Sequence, residues 1–430
     1  MIKLHEKNMT RIKFVINYPK TVKKYFLSNF LEIEYDKNIT KIPNSILFVP
    51  AVSSIITVAW ATGVNIFVEE LDETFLNSLK KVKTIFQRWY PQFSHSSDIY
   101  AKTVTHNKFG GDRYLLLFTG GIDSLTSFIR YRNRRPELVR VWGTDIPIYE
   151  DYLLRKDKER IISFATREGV DVNFIKTNVQ LLFNYYSLYK DFKISDWWGS
   201  VSHGLTLLGL TAPLTVLKKI KTVIIASTHT KDFKEPWGSH PLIDSNIRWA
   251  DVRVVHDGYE LSRHEKIRYY IVRHQQYLPY LKVCNYSRRN YNCGYCEKCL
   301  RTIIALLLEG IDPKYIRSAF DVKINEDFFN YVKNCFLKGK IHMGKDETFM
   351  WTDIQKHIPE SIQTDMQALE EFFVWLKGFN LSEYKMRKME NFLWELSLIL
   401  FKKESFREII RRLPRAVIQI LKKRLLYYIL

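Results

Sequence analysis

Residues 113–127 read RYLLLFTGGIDSLTS, and this stretch decides the fold class. Arg113–Leu117 is a short apolar run of the kind that forms a buried strand. Thr119-Gly120-Gly121 is a tight turn, and Ile122, Asp123 and Ser124 lead into a helical pattern. A strand, a glycine turn and a helix make an anion cradle. The glycines let the backbone approach a phosphate, and N–H groups at the helix start point towards it. The stretch lacks the lysine and spacing of the Walker loop, and it lacks the third glycine of the dinucleotide fingerprint. Asp123 can also be read as a simple helix cap.

Working outward, strand and helix patterns alternate. ELVRVWGTD (137–145), DVNFIKTN (171–178), KTVIIAST (221–228) and RVVHDG (253–258) read as strands. Between and after them, residues 123–134, 152–169, 199–217 and 262–274 read as helices. This alternation predicts an α/β fold with a doubly wound parallel sheet, whose ligands sit at the carboxyl ends of the strands. Residues 1–108 are expected to form a small N-terminal α/β region, ending in an amphipathic helix at 71–91 and a polar connection at 94–112. The central domain spans 109–312. After it the strand signal fades, and 313–430 is expected to be helical. Ile46–Val68 carries no charge for 23 residues, long enough for a membrane span. Pro50, Gly63 and Asn65 interrupt it, so it is read as strand 45–49, helix 51–63 and strand 65–71 of a buried βαβ unit.

The 430-residue chain has 46% hydrophobic and 26% charged residues, an ordinary globular composition. A formal charge of +20 invites a nucleic-acid reading. Without an RNA-binding signature, the favoured reading is charge spread over solvated faces. The tail from Phe401 has nine Lys or Arg against two Glu. Its helical spacing suits an anionic membrane surface, a partner protein or its own domain. The N-terminus has no apolar stretch like that of a signal peptide, so a cytoplasmic enzyme is expected.

Five cysteines are present, and four of them are Cys284, Cys293, Cys296 and Cys299. Four thiolates at such spacing can close a tetrahedron around Zn²⁺ with no open position, the mark of a structural site. An iron–sulfur cluster is the rival use. Cys335 reads as a buried helix residue.

TGGIDS matches five of six positions of the SGGxDS signature of the PP-loop ATP pyrophosphatases. The downstream C-x(8)-C-G-x-C-x-x-C cluster resembles that of 7-cyano-7-deazaguanine synthase, whose cysteines carry zinc. The resemblance covers roughly residues 113–310. It implies that Thr119, Gly120, Gly121, Ile122, Asp123 and Ser124 hold the phosphates of ATP, Asp123 with Mg²⁺. The adenine is expected near Gly143–Asp145, which makes Asp145 a candidate. Ser262 and Glu265 have capping-box spacing, where the family places a phosphate-touching lysine. Arg263 is therefore the candidate here, with Lys266 behind it. His203, His229 and Asp232 are candidates for substrate binding. The implied chemistry is adenylation of a small-molecule carboxylate, followed by attack of an amine or ammonia to give an amide or nitrile. Two alternatives remain open: a thiolation-type tRNA-modifying enzyme, and a non-catalytic nucleotide-binding partner. A homo-oligomer is expected. The family's proteins are about half this length, and PWGSHPLIDS (236–245) does not reproduce the family's substrate loop.

Overall fold

A computed structural model describes residues 1–284, 292–362 and 364–385 of the chain. They divide into two compact units: Met1–Thr119 with Asp123–Glu260, and Gly120–Ile122 with the chain from Leu261 onward. The basic tail and residues 285–291 lie outside the described residues.

In the first unit an eight-stranded sheet runs in the order β1-β2-β3-β8-β7-β6-β9-β10. Its strands are β1 (Ile2–Lys7), β2 (Arg11–Ile16), β3 (Phe30–Tyr35), β6 (Arg113–Leu117), β7 (Glu137–Trp142), β8 (Val172–Thr177), β9 (Ile220–Ala226) and β10 (Arg253–Asp257). β4 (Ile66–Asp72) and β5 (Ile99–Thr105) form a separate parallel pair. The five strands β8-β7-β6-β9-β10 are parallel, and β1–β3 continue the sheet in antiparallel fashion through β3 against β8. In the parallel part the chain passes from β6 outward through β7 and β8, then returns to the other side of β6 as β9 and β10. The strand order therefore reverses between β6 and β9. Such a reversal opens a crevice at the carboxyl ends of the two strands, because right-handed crossovers carry the helices to opposite faces. This is the large, mostly parallel sheet expected from the alternating pattern.

The helices of this unit are α1 (Asn44–Thr62), α2 (Glu73–Trp89), α3 (Ile122–Tyr131, shared with the second unit at its start), α4 (Asp151–Glu168), α5 (Tyr185–Phe192), α6 (His203–Leu217) and α7 (Pro241–Asp244). α1 corrects the reading of 45–49 as a strand: one helix runs through Pro50, with every residue from Ser45 to Ala61 buried. A helix buried on all sides shows no amphipathic period. Its first turns therefore look like a buried strand in the sequence. The Ser53 and Ser54 hydroxyls donate to the Pro50 carbonyl at 3.0 and 2.7 Å. α1 and the segment Trp198–Leu217 are both long and apolar enough to cross a membrane, yet both are mostly buried inside the fold. They act as core helices, packed on each other.

β5 corrects the reading of 94–112 as a connection. Its side chains are mostly exposed, so it lacks the apolar alternation that marks a half-buried strand. The expected boundary near residue 108 is also not a boundary between units, because β1–β3 pair into the central sheet.

The second unit contains α8 (Arg263–Lys266), α9 (Glu297–Leu308), α10 (Pro313–Ala319), α11 (Glu326–Leu337), α12 (Lys345–His357) and α13 (Gln367–Gly378). Phe336 on α11 meets Trp351 of α12 edge-on at 4.9 Å and Trp375 of α13 at 5.8 Å. Cys335 is buried beside it in α11, as expected from the sequence.

At Gly209 on α6 an added Cβ would lie 1.9 Å from the Ser53 hydroxyl of α1. Gly209→Val is therefore expected to cost about 1–3 kcal/mol through overpacking. Urea unfolding would show this as a lowered midpoint with unchanged slope; an unchanged midpoint would contradict the packing described.

Candidate functional site

The glycine turn follows β6 at the point where the strand order reverses. Phe118 N–H donates to the Val139 carbonyl at 2.9 Å, carrying the β6–β7 ladder one residue past the strand. Gly120 then adopts φ +77°, a left-handed conformation that costs other residues about 1–2 kcal/mol. Thr119 N–H donates to the Ser124 hydroxyl at 3.3 Å, and the two hydroxyls also stand 3.3 Å apart. Asp123 lies in the first turn of α3, where the helix dipole favours negative charge. Within the second unit, Lys282 N–H donates to the Gly120 carbonyl at 2.8 Å. This ties the turn to the chain just before Cys284.

A buried ion network holds the start of this turn, and no motif announces it. Arg160 on α4 donates to the Thr119 carbonyl at 2.8 Å and pairs with Asp157 at 2.5 Å. Asp157 also accepts from Arg140 on β7 at 2.5 Å and from the Trp142 indole at 2.9 Å. Arg140 reaches on to Asp145 at 2.8 Å. The Arg140, Asp157 and Arg160 side chains are at most 3% exposed. Burial alone would raise the Asp157 pKa, but Arg140 and Arg160 outweigh it and hold the carboxyl well below its usual range. Asp145 caps its own turn through Ile146 N–H at 2.8 Å, so its carboxylate is engaged by the protein.

At the end of β9, the Ser227 hydroxyl donates to the His229 carbonyl at 2.6 Å. The His229 ring stacks on Phe233 at 3.9 Å and meets Trp237 edge-on at 4.8 Å. His203 begins α6 after the π-turn Trp198–Ser202, with the Trp198 ring edge-on at 5.5 Å. Asp232 acts electrostatically on Tyr259, whose pKa is raised first by burial and then by this carboxylate. His203 at the start of α6 and His229 in the loop after β9 thus each meet aromatic rings within the first unit, with Asp232 in that same loop. His240, Asp244, His256 and Tyr259 cluster with one another at the end of β10 and escape a sequence reading, since no short motif connects them.

In the second unit, α8 begins with the expected capping box. Glu265 N–H donates to the Ser262 hydroxyl, and Ser262 N–H donates to the Glu265 carboxylate at 2.7 Å. His264 lies 2.6 Å from Glu309, and Arg268 grips the same carboxylate. Burial would raise Glu309, yet His264 and Arg268 bring it down to about 2. These contacts fix the helix start that carries Arg263 and the buried Lys266.

The four cysteines come together with all sulfurs within 4.8 Å of one another. Cys293 and Cys299 stand 3.8 Å apart, and Cys284 and Cys296 3.7 Å. A tetrahedral metal with bonds of about 2.3 Å has edges of about 3.8 Å, so this donor set could hold one such ion. Cys296 N–H donates to the Cys293 sulfur at 3.2 Å. The intervening Gly294 has φ +77°, and an added Cβ there would lie 2.1 Å from Val322. Asn292 is the residue that sequence reading missed. Its buried amide accepts from Val283 and Cys284 N–H at 2.8 and 3.1 Å. It also donates to the Leu281 and Ala319 carbonyls at 2.8 and 2.9 Å.

A polar cavity of about 540 Å³ lies elsewhere, at the amino-terminal ends of β6, β7 and β8. Its charges neutralise one another, with Arg113 on Glu137 at 2.6 Å. It stands at the end of the sheet opposite the glycine turn. Comparison of the chain with family models, curated proteins and solved structures finds no match.

Asp157→Ala leaves two buried guanidiniums without their shared carboxylate. A loss of about 3–5 kcal/mol in unfolding free energy is expected. Because the Asp157 pKa is depressed in the folded chain, its stabilisation is complete above the unfolded value of about 3.9. It is lost as pH falls below that value towards the folded pKa, so the gap in urea stability between wild type and variant should narrow in acid. A constant gap down to pH 2 would contradict the assignment. For the cysteine cluster, the purified full chain should carry about one metal ion per chain, and Cys293→Ser should lose it. Asn292→Ala should weaken retention against a chelator about 10–100-fold. A metal-free chain that is equally stable with and without chelator would contradict the site.

Proposed function

We propose that this chain is an ATP-dependent enzyme that adenylates a carboxylate, releases pyrophosphate and passes the acyl group to an amine or ammonia. The observation that carries this reading is a glycine turn at the carboxyl end of β6, where the strand order reverses. In open α/β sheets that crevice is where ligands bind. A turn whose glycine has φ +77°, opening a helix, suits a phosphate chain.

In this reading the amides and hydroxyls of Thr119–Ser124 hold the β- and γ-phosphates. Mg²⁺, when bound near Asp123, neutralises charge on the triphosphate. The carboxylate attacks the α-phosphorus, and the bond to the pyrophosphate oxygen breaks. Arg263, supported by Lys266, offsets the charge on the departing pyrophosphate. Arg160 fixes the carbonyl that begins the turn, so the loop keeps its shape through the reaction. Asp145 orients the base of the nucleotide through its turn. His203, His229 and Asp232 contact the substrate. The cysteines hold Zn²⁺ as a structural ion, since four sulfur ligands leave no open position for chemistry. Thiolation is the weaker reading, because four of the five cysteines gather in one cluster and the fifth is buried in α11.

Full-length protein incubated with ATP, Mg²⁺ and a panel of carboxylates is expected to yield AMP and pyrophosphate with at least one of them. ADP and phosphate, or no turnover with any carboxylate, would contradict adenylation. Gly120→Ala should reduce the rate by about 5–30-fold, from a backbone strain of about 1–2 kcal/mol. An unaffected rate would remove the turn from the active site.

A further inference from the structure

A second group of titratable side chains stands at the carboxyl end of β10, on the same edge of the sheet as the glycine turn. The parallel register aligns Leu116, Ile224 and Val255 across β6, β9 and β10. His256 is therefore level with Leu117, two strand spacings away, or about 10 Å. Asp257 next to it faces the opposite side, where it accepts from Ser127 and Arg130 of α3 at 2.7 and 3.0 Å. His256 turns instead towards α7.

Its side chain is fully buried, and Nδ1 lies 2.7 Å from Oδ2 of the equally buried Asp244. The same oxygen accepts from the Ser239 hydroxyl at 2.6 Å. With a carboxylate as partner, Nδ1 carries the proton and Nε2 carries the lone pair. Nε2 is buried with no hydrogen-bond partner among the described residues. Leaving such a buried acceptor unmatched is unfavourable, and a hydrogen arriving with a ligand would relieve it. The ring of Tyr259 stands edge-on to the imidazole at 5.9 Å, just after Gly258 with φ +80°. His240 holds the Tyr259 hydroxyl at 3.0 Å. Its own Nδ1 accepts from Leu242 N–H at 3.1 Å, so Nε2 is the donor to Tyr259. The His240 pKa is lowered, first by burial and then by His256, which suits a neutral ring in that role. The ionisable groups around His256 are thus Asp244 from α7, His240 before it, and Tyr259 with Asp232 beyond.

We propose that His256 is the proton acceptor of the nitrogen-transfer half-reaction, with Asp244 as its positioning residue; this rests on the adenylation reading above. The lone pair of the neutral amine or ammonia attacks the acyl carbon of the adenylate. The C–N bond forms, the C–O bond to AMP breaks, and AMP leaves with that electron pair. The N–H proton passes to Nε2 of His256, and the resulting imidazolium faces the Asp244 carboxylate.

The test uses the full chain with ATP, Mg²⁺, the carboxylate that supports AMP formation, and ammonium chloride or hydroxylamine as the nucleophile. Exchange of labelled pyrophosphate into ATP reads adenylation alone, and amide or hydroxamate formation reads the transfer. His256→Gln should retain exchange and lose about 10²–10⁴-fold in product formation. Asp244→Asn keeps the imidazole but removes its carboxylate. It should lower kcat for product formation while KM for the carboxylate and the exchange rate hold. Equal loss in both half-reactions, or full product formation by both variants, overturns the role of His256 and leaves adenylation standing. A wild-type chain that shows no exchange with any carboxylate overturns the adenylation reading, and the assignment of His256 falls with it.

Discussion

Asp157 sits buried between Arg140 and Arg160, and the shape of the glycine turn depends on that arrangement. A lone carboxylate at such depth would take up a proton, and a lone guanidinium would not be tolerated there. With Asp145 on Arg140 they form a compensated set in which Nη2 of Arg160, the nitrogen that holds Asp157, also grips the Thr119 carbonyl. β7, α4 and the end of β6 are thereby fixed to one another through charge as well as through apolar contact. In the proposed role, the turn would have to keep its backbone still while large charges come and go. A rigid, buried network at its first residue meets that need.

The second constraint is topological. Strand order alone puts the ends of β6 and β9 at the point of reversal, and the His256 cluster lies one strand further along the same edge. The carboxyl end of the first unit's sheet therefore carries the strand that leads into the glycine turn, an aromatic-lined loop and a buried Asp–His pair. The polar cavity at the other end of the strands holds its own counter-charges and has no comparable set of groups. The cysteine cluster works differently, since Asn292 and the knuckle at Gly294 hold four sulfurs where they could bind one metal ion.

The parallel sheet was legible because buried parallel strands are written as unbroken apolar runs such as YLLLF and TVIIA. The same rule misled at residues 45–49, because a helix buried on every side gives an apolar run too. Only the buried length of α1 separates the two cases. β5 was invisible for the opposite reason, as a strand exposed on most of its length carries no pattern. At the site, TGGIDS and the four cysteines announced themselves through spacing. Arg140 did not, because a single arginine within an apolar strand looks like a solvent-facing position. Asp244 and His256 are separated by twelve residues and meet only through the fold. A pair joined by tertiary packing leaves no local signature.

Thr119–Ser124 is proposed above as a triphosphate cradle at the reversal of strand order. A crystal structure of the full chain with α,β-methylene-ATP tests it most directly. The β- and γ-phosphates are expected against the amides of that turn, at the carboxyl end of β6. The nucleotide bound at another place in the fold, or a turn left empty at saturating analogue, would contradict it.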